Sequence, residues 1–255
     1  MQYFSYHGQC DLVLSRIKGF GIGLDLDVHI RTTRVDNPNM SYSYISGVAV
    51  GMSSTVINVS EDGSLFVDGH LAELRCDYDD TLVLPNFAEQ TIRCSTSGAK
   101  KRILAYVIEL NDNGERINIR VNKNTNMMYV ELSGAFADGE GLLGQGGKDG
   151  LLARDGLTDL SGEWNSFGEE WQVRDTDRKL FLEDRHPQYP ASCMYDSSKK
   201  STSLRRRRLS DHLFVTPEVA NEACAHLTNP KKREFCITDV MATGFLDIAD
   251  DPFYA

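Results

Sequence analysis

The stretch from Leu24 to Val35, LDLDVHIRTTRV, changes character at every residue: Leu24, Leu26, Val28 and Ile30 fall on one side, Asp25, Asp27, His29 and Arg31 on the other. A period of two is the pattern of an antiparallel strand with one face toward a core and one toward water. The same texture continues along the chain. TVINVSEDGSLFVDG reads as a hairpin, with Glu61, Asp62 and Gly63 as the turn between two β-rich arms. RILAYVIELNDNGERINIRV reads as a second pair of strands that breaks between Asn111 and Glu115, and NKNTN turns the chain into MMYVELSG. Regular short strands separated by Asn, Asp and Gly turns predict a mainly β, antiparallel, sandwich-like domain.

Beyond it the texture changes. From Gly139 to Ser166 glycines and acids accumulate and predict a long loop, with β signal returning at EEWQV and KLFLED. After Cys193, MYDSSKKSTSLRRRRLSD reads as an exposed polar, basic linker. Thr216 is placed to cap a helix with Pro217 in its first position, running through EVANEACAHL. Asn229-Pro230 reads as its stop, and KKREFCITDVMAT as a second helix ending at Gly244. The expected organisation is a β domain over residues 1–193, a linker over 194–214 and a helical, cysteine-containing tail over 215–255.

Composition bounds the function. With 255 residues, 41% hydrophobic and 25% charged, the chain is globular. A net charge of −10 argues against nucleic acid and anionic membrane surfaces as main partners. Nothing approaches eighteen consecutive apolar residues, so no membrane insertion is expected. The opening MQYFSYHGQC has neither the basic start nor the apolar centre of a secretory signal and reads as strand interior, so the chain is expected to be a fragment or to begin upstream. Six cysteines, Cys10, Cys76, Cys94, Cys193, Cys224 and Cys236, include no C-x-x-C pair. Their even count and wide spacing fit three disulfides in an oxidising compartment; six buried thiols in a cytosolic protein are the alternative. Two sequons, at Asn39 and Asn58, are candidate glycosylation sites.

Candidate chemistry is sparse. GLLGQGGKDG, Gly141 to Gly150, ends near a lysine as phosphate-binding loops do, but Leu142 stands where a Walker motif needs Gly and Asp149 where it needs Ser or Thr. Asp149, Asp155 and Asp159 share one irregular segment and offer carboxylates to a calcium ion, without EF-hand spacing. None of the six histidines lies in a triad signature; His7 and His29 read as strand-surface or hydrogen-bonded residues, and His186 precedes a proline. The acidic pairs Asp79-Asp80 and Asp250-Asp251 read as solvated loops. Arg205 to Arg208 reads as a solvated linker, with proteolytic processing, attraction of acidic partners or phosphorylation of Ser210 as functional alternatives. No catalytic residues are assigned, and no enzyme activity is expected.

The order of motifs resembles the von Willebrand factor type D domain over roughly residues 3–193. YFSYHGQCDLVLSR stands where that family has an aromatic strand running into a cysteine and a Val-Leu strand, just after the family's Gly-Asp-Pro-His opening. INVSEDGSLFVDG matches its hairpin, INIRVNKNTNMMYVELSG its late strand pair, and FGEEWQV, with Phe167, Trp171 and Val173, its Phe and Trp-x-Val. GLLGQGGKD stands in place of its calcium loop in degraded form: Leu143 replaces Cys, Gln145 and Gly147 replace Asn, Lys148 replaces Gly, and Asp149 alone keeps a ligand type. The resemblance implies Cys10–Cys193, Cys76–Cys94 and Cys224–Cys236 disulfides, and calcium as a possible cofactor at Asp149. It implies a non-enzymatic extracellular structural or adhesion module, contacting other extracellular proteins or matrix. The rival expectation is a secreted carbohydrate-binding or hydrolytic β-sandwich that uses the acidic loop 149–159, with Trp164 beside it.

Overall fold

The computed structural model describes residues 6–20, 24–35, 42–84, 90–97, 101–111, 114–134, 136, 139–144, 150–181, 192–194, 215–250 and 254. The fold is mainly β, an antiparallel sheet with a few helices, two of them near the C-terminus. Among the described residues the strands are β1 (Asp11–Gly19), β2 (Leu24–Val35), β3 (Tyr42–Met52), β4 (Thr55–Val59), β5 (Leu65–Val67), β6 (His70–Leu71), β7 (Thr81–Val83), β8 (Thr91–Ser97), β9 (Ile103–Glu109), β10 (Arg116–Asn122) and β11 (Met128–Ser133). The helices are α1 (Trp164–Glu170), α2 (Pro217–Ala223) and α3 (Pro230–Thr243).

The path runs β6-β5-β4-β3-β11-β10-β9-β8-β7, with β2 also paired to β3 and β1 to β2. β3 is the hinge of this arrangement. Its residues 48–52 pair with β4, Ile45 alone pairs with Met128 of β11, and β2 runs along its whole length. Both arms of the sheet therefore contribute to one core: Leu26, Val28, Val50 and Ile57 from one, Ile92, Ile108, Ile117 and Ile119 from the other, all nearly inaccessible to water. The β4–β5 turn closes onto the opposite arm, where the Tyr106 hydroxyl donates to the Gly63 carbonyl at 2.7 Å. The three predicted hairpins are present, since each is set by local alternation and a local turn.

Among the described residues β1 has no strand on its second edge, and two loops complete it. Arg16 and Glu140 exchange backbone hydrogen bonds, and Leu142 N–H and Leu143 N–H donate to the Val13 and Leu14 carbonyls. Val13 N–H donates to the Trp171 carbonyl and Val173 N–H to the Asp11 carbonyl. An open strand edge is thereby covered. This is what the first half of the glycine-rich stretch does: Gly141 has φ +140°, and a Cβ there would lie 2.6 Å from the Leu14 carbonyl oxygen. The first part of EEWQV is not β: Glu169 and Glu170 end α1, and only the chain from Trp171 onward pairs with β1. KLFLED forms no strand over the described residues 179–181.

The disulfides are Cys10–Cys193, Cys76–Cys94 and Cys224–Cys236, with Cα separations of 4.9, 4.6 and 6.1 Å. No cysteine is free. The tail is helical as expected, with two boundaries corrected. Asn229-Pro230 does not stop a helix but starts α3: the Asn229 carboxamide accepts from Lys231 N–H and Lys232 N–H, and Pro230 needs no N–H at that place. α2 is shorter than predicted, ending at Ala223. Of the expected linker, residues 194–214, only Met194 is among the described residues, and its backbone pairs with Gln9.

Candidate functional site

The largest departure from the sequence pattern is on β2. Asp25 stays exposed, but from Asp27 to Arg31 the strand's polar face does not meet water: Asp27 is 7%, His29 0% and Arg31 5% exposed. The register explains how this face is covered. Asp11, Arg31 and Gly47 form one cross-strand row, Val13, His29 and Ala49 the next, and Arg16, Asp27 and Gly51 a third. On β3 the residues of these rows are thus Gly, Ala and Gly, and their small size makes room for a strap, residues 174–181. A Cβ at Gly51 would lie 2.7 Å from the Leu180 side chain, and one at Gly47 would lie 3.2 Å from the Phe181 ring. Leu180 itself is 2% exposed. The segment GVAVG, with Val48 and Val50 inward and small residues outward, is the sequence signal for a second layer.

Ion pairs fill the space under the strap. Arg16 Nε donates to Asp27 at 2.6 Å and its Nη1 to Asp177 at 3.0 Å. Arg154 joins the same Asp177 through both Nη atoms at 3.2 Å, donates to the Gln172 and Glu170 carbonyls, and lies 5.1 Å from the Trp171 ring. Arg31 makes a two-pronged pair with Asp11 at 2.6 Å and stacks on Phe181 at 4.3 Å. Burial works against the Arg16 charge, but the partners outweigh it: the guanidinium is held above its ordinary value by Asp27 and Asp177. Likewise Asp177 sits below the ordinary carboxylate range, because the Arg174 N–H, Arg154 and Arg16 overcome its desolvation. Pairs like these define geometry more than they add stability, while removal of one member strands a buried charge.

His29 is the exception in this layer. Among the described residues neither ring nitrogen has a hydrogen-bond partner. Burial drives its pKa down to about 4, with Asp27 opposing and Arg16 adding to the effect. His29 is thus neither the strand-surface nor the hydrogen-bonded residue expected from its pattern. His7 stands before β1 and not within a strand, and burial with nearby Arg34 lowers its pKa. His186 lies outside the described residues.

The acidic loop uses its carboxylates locally. Asp155 accepts from Leu157 N–H, Thr158 N–H and the Thr158 hydroxyl at 2.6–2.8 Å, bonds that hold its pKa near 2. Asp159 accepts from Ser161 N–H at 2.9 Å. Both are turn caps, and the resulting loop carries Trp164 half-exposed at the start of α1. Asp149, the expected calcium ligand, lies outside the described residues, as does Asn39. Among the described residues no group of three or more His, Cys, Asp or Glu is placed to hold a metal ion. Asn58 is 8% exposed, and its amide nitrogen donates to the Leu180 carbonyl at 3.3 Å. A glycan on that nitrogen would displace the strap.

No helix among the described residues is long and apolar enough to cross a membrane. No protein-family model matches the sequence, and no curated protein matches it significantly.

Proposed function

We propose that this chain is a non-enzymatic extracellular module of the von Willebrand factor type D kind, acting as a structural or adhesive unit toward other extracellular proteins or matrix. The cysteine pairing carries the reading. All six cysteines pair, and Cys10–Cys193 ties the entry of β1 to the chain that follows the strap. Such full pairing belongs to oxidising compartments. The acidic loop supports it from the other side, because Asp155 and Asp159 spend their oxygens on backbone turns instead of converging beside Trp164. In this reading the module has no catalytic group. Asn39 is the sequon that carries a glycan, and calcium, if it binds, uses Asp149.

The test is production through a secretory pathway followed by thiol counting and a non-reducing peptide map. Absence of free thiols together with the Cys10–Cys193 peptide is the expected result. A stably folded protein with six free thiols overturns the proposal. Calorimetric titration of calcium into the protein and into Asp149→Ala then decides the cofactor: heat that disappears in the variant assigns the ion to this loop.

A further inference from the structure

The tail does not pack as an appendage. Its own residues, among them Ala220, Val240 and Ile248, form a second buried cluster with Tyr42 of β3 and Met127 of the β10–β11 turn. Polar contacts cross the same boundary. The Tyr42 hydroxyl donates to Asp239 of α3 at 2.5 Å, and Tyr254 donates to the other oxygen of that carboxylate. Tyr129 of β11 meets Tyr254 edge-on, with ring centroids 6.1 Å apart. At the rim Arg102 pairs with Asp247, which also accepts from the Asn124 amide at 3.0 Å. Yet no disulfide crosses this boundary: Cys10–Cys193 and Cys76–Cys94 lie within the β unit, and Cys224–Cys236 within the tail. Apolar centre, desolvated tyrosine–carboxylate bonds and a charged rim are the anatomy of an association interface.

We propose that the helical unit, residues 215–254, is a noncovalent ligand of the β unit, seated on a surface made by Tyr42, Arg102, Asn124, Met127 and Tyr129, and that it stays bound when the chain between the two is cut. The tail's Asp239 is the anchor, since two tyrosines from either side of the boundary share it. Arg102 and Asp247 set the orientation. The partner this surface fits is a short, disulfide-closed helical hairpin with an acidic group at its centre.

The test is made on the full chain with a site-specific protease sequence inserted between Arg208 and Leu209. After cleavage, gel filtration under non-reducing conditions should recover both pieces in one peak, in equal amounts. Arg102→Glu should raise the fraction of released tail about tenfold, because it sets two like charges against each other at the rim, and Arg102→Glu with Asp247→Arg should bring it back. Met127→Asp should release the tail while the β unit keeps its Cys10–Cys193 peptide and buried Trp171 fluorescence, which separates lost docking from lost folding. Free elution of the tail from the cleaved protein without further substitution overturns the proposal. So does a charge reversal that releases nothing, or a double variant that restores nothing.

Discussion

Gly141 lies against the edge of β1 with φ +140°, a conformation open to glycine and strained for other residues. Gly141→Ala should cost about 2–3 kcal/mol, from backbone strain plus the clash with the Leu14 carbonyl, read as a lower urea midpoint with an unchanged slope. An unaltered midpoint would show that GLLG does not dock on β1. His29 makes the larger part of the pH dependence below pH 6.5, and His7, whose pKa is also lowered, adds to it in the same direction. The His29 pKa falls from 6.5 to about 4 in the fold, so the folded protein keeps it neutral while the unfolded chain protonates first. The stability it carries is complete above pH 6.5 and is lost as pH falls from 6.5 toward 4, in total about 3 kcal/mol. His29→Leu, which removes two unpartnered nitrogens, should flatten the stability profile across that window and hold or raise the midpoint at neutral pH. A variant whose profile keeps the parent's slope would assign the acid loss to another group. Neither residue was legible from composition: the alternation around His29 predicts its strand correctly, but burial of that face depends on residues 174–181, far away in sequence.

Elements set by their neighbours in sequence were the ones readable from it. The β4–β5, β9–β10 and β10–β11 hairpins follow from alternation and turn residues alone. α1 was missed because WNSFGEE is short, holds a glycine, and owes its place to burial of Phe167 and Gly168 against the core. The strap was missed because its partners are remote: Asp177 reaches Arg16 over 161 positions. Arg154 shows what holds it. One guanidinium joins the end of α1, the chain at Gln172 and the carboxylate of Asp177. Arg154→Ala should therefore cost about 3 kcal/mol, as removal of one member of a buried pair does, with faster amide exchange or protease cutting at residues 174–181 before global unfolding. Arg154→Lys keeps the charge without the planar fork, so it should recover less than half of the loss. Equal stability of parent and Ala variant would mean Arg16 alone suffices for Asp177. In the tail the helices were legible but their junction was not. Asn-Pro marks either the end of one helix or the start of the next, and here the Asn229 side chain chooses the start.

For the whole molecule, closure length ranks the crosslinks. Cys10–Cys193 spans 183 positions and Cys76–Cys94 spans 18. Loop-entropy estimates give about 5 kcal/mol for the first and about 3 kcal/mol for the second. Paired Cys→Ser replacements should follow that order in denaturant midpoints, and the reverse order would place the effect in native-state contacts. The overall class was readable because alternation and local turn residues recur along the described strands. The mutual placement of the β unit and tail was not, since Asp239 and Tyr42 meet across 197 positions with no motif to announce it.

The covered edge of β1 also has a history in time. The strand is made early, but the backbone groups that complete it, at 140–143 and 171–173, and the thiol that locks it, Cys193, come much later. At ordinary synthesis rates β1 waits roughly 10–40 s for Cys193 to be added. Through that interval an apolar strand, one edge unsatisfied and its thiol unpaired, is presented to the surrounding compartment. Cys76 and Cys94 arrive meanwhile as possible wrong partners for Cys10. In the extracellular reading proposed above, maturation of this domain is a race between strand completion and mispairing, and a disulfide isomerase with a holding chaperone should raise its yield while leaving its final stability unchanged.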